Sequence, residues 1–162
     1  MIDLKGMLLL LHEYQVEFVI IGGVAANLLG VARPTFDLDI CYSRTAKNLD
    51  RLAAGIGPLH PRLREAPGGL PFAMDRSTLR NRCLFTLETD LGWIDLLAEV
   101  PGIGGYDQVR ASAREVGLLG RTFQVLTLPA LIAAKRAAGR GKDVEGLHEL
   151  EALREATLGE EE

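Results

Sequence analysis

Apolar positions recur at helical spacing from Ile2 to Tyr14 and predict a first helix. The β-branched run Glu17–Ile21 predicts a buried strand ending at Gly22, and Val24–Leu29 a short helix closed by Gly30. Phe36 to Tyr42 alternates at the period of a strand. Asp37, Asp39 and Cys41 fall on one face, and Phe36, Leu38, Ile40 and Tyr42 on the other. A helix follows over residues 45–56, with Ser43 or Thr45 as its cap. Residues 57–71, rich in Gly, Pro and Arg, read as a loop. Residues 82–89, a turn at 90–92 and residues 93–100 predict a β-hairpin. The stretch 101–105 reads as a second loop, and 114–119 with 122–126 as another hairpin. Helices are predicted over 128–139 and 143–156, with residues 159–162 a disordered acidic tail.

The alternating strand poses the chemical question. Residues i and i+2 of a strand project together, so two like charges sit a few ångströms apart inside an apolar run. Such a pair is costly unless basic partners, solvent or a divalent cation offset it. Mg²⁺ takes oxygen ligands and is commonly held by one or two carboxylates plus substrate phosphates. Taken alone, an Asp-x-Asp is more often a solvated edge strand. Here Gly22-Gly23 closes the neighbouring strand and opens a helix, where backbone N–H groups favour an anion. A third carboxylate, Asp95, interrupts the apolar run 92–97. Together the three supply what two-metal phosphoryl transfer requires, provided that they converge within about 8 Å.

Composition narrows the class. The chain of 162 residues suits one domain, and with 48% hydrophobic and 25% charged residues it can bury a core. A net charge of -4 argues against indiscriminate polyanion binding while allowing a local basic patch. The two cysteines, Cys41 and Cys83, form neither a disulfide framework nor a metal motif and are expected to be buried and reduced. With no signal peptide or membrane span in view, a cytoplasmic protein is expected. His12, His60 and His148 share no motif and read as surface or packing residues.

The succession of strand, Gly-Gly, short helix, Asp-x-Asp on the next strand and a later Asp resembles the nucleotidyltransferase superfamily with the DNA polymerase β-like fold. The stretch Arg33, Thr35, Asp37, Asp39 and the element Lys135, Arg140, Lys142, Asp143 are similar to those of small bacterial AbiEii-type proteins. The resemblance spans residues 17–150. It implies an α+β fold: a small mixed sheet flanked by helices, one domain over 1–162, with its core at 17–126 and a helical part at 127–157. It implies transfer of a nucleoside monophosphate from an NTP, ATP among the candidates, to an RNA end (tRNA included) or a hydroxyl of a partner protein. A place in a toxin–antitoxin or phage-defence pair is implied with it. Asp37, Asp39 and Asp95 would be the catalytic and metal-binding set for two Mg²⁺ ions, with Mn²⁺ as the alternative. Gly22, Gly23, Arg33, Thr35, Lys135 and Lys142 would bind the nucleotide. Where many relatives place Ser after the first glycine, this chain has Gly23 and then Val24, leaving backbone amides to hold phosphate.

Other residues carry weaker signals. Arg33 either binds phosphate or braces Asp37 or Asp39. The arginines at 62, 64, 76, 80 and 82 are expected to be ordinary surface charge rather than an RNA track. Trp93 shares a face with Asp95 but is expected to pack in the core rather than stack on a base. The competing readings are a degenerate nucleotide- or partner-binding module and a nucleotide-sugar glycosyltransferase. The latter suits the short chain and the Gly-Gly placement less well.

Overall fold

The computed structural model describes residues 2–65, 72–139 and 144–161. Helix α1 (Leu4–Glu13) is capped by Asp3, whose carboxylate accepts from the Gly6 N–H, and leads into β1 (Phe18–Ile21). Then follow α2 (Gly22–Leu28), β2 (Asp37–Tyr42) and α3 (Ala46–Ile56), the last capped by the Thr45 hydroxyl. A 3-10 turn (Gly57–Leu59) and a two-residue strand β3 (Arg62–Leu63) precede α4 (Arg76–Arg80). The first hairpin is β4 (Leu84–Thr89) and β5 (Gly92–Leu97), followed by the small β6 (Glu99–Val100) and β7 (Gly104–Gly105) pair and α5 (Tyr106–Ala111). The second hairpin is β8 (Ala113–Leu118) and β9 (Arg121–Leu126). Helices α6 (Leu128–Ala138) and α7 (Val144–Glu161) complete the chain.

Among the described residues, seven strands form one mixed sheet in the order β3-β4-β5-β2-β1-β9-β8. β2 runs antiparallel to β1 and parallel to β5, and β1 runs parallel to β9. The α+β architecture is the expected one. Along the central strands one face is closed: Leu38, Ile40, Phe85, Leu87, Ile94 and Leu96 are fully buried in one apolar cluster with α1 and α3 side chains. The opposite face of β4 and β5 stays open, with Leu84, Glu88 and Trp93 exposed.

Several expectations are corrected. Residues 57–71 are not uniformly loop, because β3 pairs with β4 at Arg62↔Glu88 and Leu63↔Leu87. The acidic C-terminus continues α7 to Glu161 instead of being disordered. Cys41 is buried as expected, but Cys83 is exposed at the outer end of β4 beside the exposed Leu84. Trp93, expected in the core, is 45% exposed because it lies on the open face. Helices α4 and α5 went unpredicted; both are too short for an amphipathic period to stand out. None of the described helices is long and apolar enough to cross a membrane.

The buried side chain of Asn48 ties α3 to the strand ends. Its Oδ1 accepts from the Glu17 N–H (2.7 Å), and its Nδ2 donates to the carbonyls of Glu17 (3.0 Å) and Ser43 (2.7 Å). Asn48→Ala removes the side-chain partner of the Glu17 N–H and of the Ser43 carbonyl where water reaches poorly, while the Glu17 carbonyl keeps the Ser43 N–H (3.2 Å). It is expected to lower unfolding free energy by about 2–4 kcal/mol in denaturant titration, well above the loss for an exposed α3 position such as Lys47→Ala.

Candidate active site

The site is a consequence of strand register. Because β2 and β5 run parallel with Asp39↔Asp95 and Asp37↔Trp93 as partners, Asp37, Asp39, Trp93 and Asp95 share the open face. One oxygen from each of the three carboxylates lies within 4.8 Å of the others, inside the limit set above. The antiparallel partner of Asp39 on β1 is Ile21, so the first glycine of α2 meets the carboxylate cluster directly.

Gly22 has φ +65, the left-handed region, and a Cβ placed on it would lie 2.2 Å from Asp39 Oδ2. Only glycine permits both the turn and the carboxylate behind it. Gly23 is crowded in the same way by Thr35, whose Oγ1 would be 2.9 Å from a Cβ there and which donates to the Asp37 carbonyl (3.1 Å). Thr35 thus holds the approach to β2 against the glycine turn.

A cleft of about 250 Å³ opens from this turn. Gly22, Gly23, Arg33, Thr35, Asp37 and Asp39 line one side, and Leu131, Lys135, Gly146 and Glu149 of α6 and α7 the other. A Cβ on Gly146 would sit 3.0 Å from Arg33 Nη1 and 3.8 Å from Lys135 Nζ, so two cations gather around that glycine. The structure therefore brings together every nucleotide-site residue expected from sequence except Lys142, which lies outside the described residues, as do Arg140 and Asp143. Asp95 faces the open sheet beside the cleft rather than lining it.

The residue that sequence reasoning missed is Arg64. It was expected to be surface charge, yet its side chain is only 17% exposed. Its Nη2 donates to Asp95 Oδ1 and lies 4.0 Å from Asp37 Oδ2, and its guanidinium stacks over Trp93 at 4.8 Å from the ring centre. The bracing role considered for Arg33 falls to Arg64 instead. Its position follows from the edge strand: the Arg64 N–H donates to the Thr86 carbonyl (3.0 Å), and Thr86 pairs with Asp95, so Arg64, Thr86, Asp95 and Asp39 form one row across the sheet. The signal was the Arg62-x-Arg64 spacing, legible only once residues 62–63 are seen as a strand.

Arg64 does not neutralise the whole cluster. Burial, then the charges of Asp37 and Asp95, push the Asp39 carboxyl up to about 8, and burial also raises that of Asp95 against the pull of Arg64. Asp39 Oδ1 is buried without a hydrogen-bond partner among the described residues. An orphaned carboxylate oxygen among three hard oxygen donors fits a divalent cation such as Mg²⁺ or Mn²⁺.

These shifts set a pH dependence. Native Asp39 holds its proton between pH 3.8 and about 8 where the unfolded chain does not, so its contribution to stability is full below 3.8 and is lost as pH rises through about 8. In metal-free thermal melts Asp39→Asn is expected to match wild type near pH 4 and to exceed it increasingly toward pH 8. An advantage that is flat across this range would contradict the raised carboxyl. Gly22→Ala is expected to cost about 1–3 kcal/mol at every pH, by urea unfolding, through backbone strain and displacement of Asp39.

No protein-family model and no curated protein matches the chain by sequence. Solved structures do match it in shape. TM1012 of Thermotoga maritima, described as a nucleotidyltransferase, superposes with TM-score 0.56 at 16% identity, covering 92% of this chain and 94% of that one. The lincosamide antibiotic adenylyltransferase LnuA, solved with lincomycin, gives 0.59 at 14% identity over 93% and 94%. ANT(2'')-Ia, solved with adenylyl-2''-tobramycin, gives 0.52 at 20% identity over 96% and 94%. Shape and topology agree over nearly the whole length of each: the chain has the nucleotidyltransferase fold.

Proposed function

We propose that the chain is a metal-dependent nucleotidyltransferase that moves a nucleoside monophosphate from an NTP to an acceptor hydroxyl. The observation that carries this reading is the convergence of Asp37, Asp39 and Asp95 beside a cleft whose other walls supply two glycines and two cations. Asp37, Asp39 and Asp95 would hold Mg²⁺ or Mn²⁺, two ions in the complete site. The bound ions would neutralise the carboxylates and the triphosphate and make the acceptor hydroxyl more acidic.

The chain's own groups then have distinct work. The backbone of Gly22 and Gly23 faces the β- and γ-phosphates, and Arg33 and Lys135 meet the remaining phosphate charge. Lys142 belongs to the same proposal on its sequence motif. Thr35 fixes the strand approach against the glycine turn, so the α-phosphorus is presented to the open face. Asp95 lies on that face and accepts the hydroxyl proton. The acceptor oxygen forms its bond to the α-phosphorus as the bond to the bridging oxygen breaks and pyrophosphate leaves. Catalysis of this kind is positioning and charge neutralisation, and needs no Ser, Cys or His nucleophile.

The acceptor is read as an RNA end or a protein hydroxyl, within a toxin–antitoxin or phage-defence pair. The near full-length match to enzymes solved with lincomycin and with an adenylylated tobramycin favours a second reading, a small polyhydroxylated molecule. Three intact carboxylates support turnover over a binding-only module. The test is incubation with each labelled NTP and Mg²⁺ in the presence of total RNA, the neighbouring gene's product, or a panel of polyhydroxylated small molecules. Label is expected on one acceptor class with stoichiometric pyrophosphate, and Asp39→Asn is expected to reduce it at least about a thousandfold, since an amide is a poor ligand for a hard ion. Absence of both label and pyrophosphate with every combination would reject the reading.

A further inference from the structure

The three carboxylates are not equivalent, and Arg64 divides them. Asp37 and Asp39 line the cleft, and the orphaned Oδ1 belongs to Asp39. Asp95 lies outside the cleft on the open face, and there its Oδ1 already holds the Arg64 guanidinium, with Asp37 Oδ2 4.0 Å from the same nitrogen. The space between Asp95 and Asp37 on the sheet side thus contains a positive charge supplied by the chain. We propose that Arg64 is a tethered cation standing in for the sheet-side ion, so that the resting protein takes one divalent ion, on the cleft side, and a second only after Arg64 moves aside. The inference rests on the reading of the carboxylates as a metal site.

Arg64 is placed for that role and not merely adjacent to it. The backbone N–H is fixed to the Thr86 carbonyl, Nη1 reaches the Leu87 carbonyl (3.4 Å), and Trp93 provides a stacking face. Two cations sharing Asp95 at such range would repel strongly, so the guanidinium and an ion exclude each other there. Its stacking partner Trp93 is itself 45% exposed, so the guanidinium borders the solvent side of the sheet. The consequence is an order of assembly: the cleft-side position would fill first, in the resting protein, and the sheet-side position would complete only when Arg64 is displaced, as by an acceptor arriving over Trp93. An NTP held without acceptor would then meet an incomplete site.

The test is a Mn²⁺ titration of the whole chain, followed by electron paramagnetic resonance without nucleotide, comparing wild type with Arg64→Gln and Trp93→Leu. Wild type is expected to bind one ion, with the second at least about tenfold weaker. Arg64→Gln is expected to tighten the second ion by about tenfold or more while leaving the first nearly unchanged. Trp93→Leu, which keeps the charge but removes its stacking face, is expected to give a smaller gain of the same sign, and it carries the test alone if Arg64→Gln does not fold. Two ions of equal affinity in wild type, or a second-ion affinity indifferent to both substitutions, would overturn the inference and leave the metal site standing. Absence of any bound ion in all three proteins would overturn both.

Discussion

Mutual repulsion among three partly buried carboxylates is the constraint around which this protein is arranged. Strand register forces it: once β2 and β5 pair in parallel with Asp39 beside Asp95, the charges cannot separate without breaking the ladder. The fold meets the strain in two ways. Arg64 takes up part of the charge from the edge strand, and Asp39 is pushed toward its neutral form. Neither removes it, and a buried oxygen is left without a partner among the described residues. Sites that work against stability in this way are commonly maintained for function.

The rigidity that sustains the strain lies on the other face of the same strands. Leu38, Ile40, Ile94 and Leu96 alternate with the acidic and aromatic residues and are fully excluded from water. Each strand therefore anchors itself by one set of side chains and displays the other. Asn48 fixes the far ends of β1 and β2, so the cluster sits at the free ends of strands whose opposite ends are pinned. The cleft is completed by the C-terminal helices, where Gly146 lets Arg33 and Lys135 approach each other.

Much of this was legible in sequence because the informative signals are local. The alternation at Phe36–Tyr42 placed Asp37 and Asp39 on one face, and the interruption at Asp95 marked a third carboxylate. Both hairpins and both C-terminal helices follow from local sequence. Arg64, Trp93 and Cys83 were misjudged for one shared reason. Their surroundings depend on β4 and β5 having an open face and on β3 joining the edge, and these are facts of sheet order rather than of neighbouring residues. Apolar runs announce strands, but they do not say which face will be covered. The two-residue β3 is too short to leave a period at all.

The contact between Gly22 and Asp39 has a bearing on descent. The space that a side chain would need at position 22 is filled by the Asp39 carboxylate, 2.2 Å from where a Cβ would stand. The two positions are therefore locked together: a sequence related to this one can gain a side chain at 22 only by surrendering the carboxylate at 39 or by recasting the turn. The pair is a reading aid for divergent relatives. A glycine kept while the aspartate is lost records a chain that has kept the turn without the carboxylate packed behind it, whereas a bulky residue at 22 beside an intact aspartate marks a turn rebuilt along a different path.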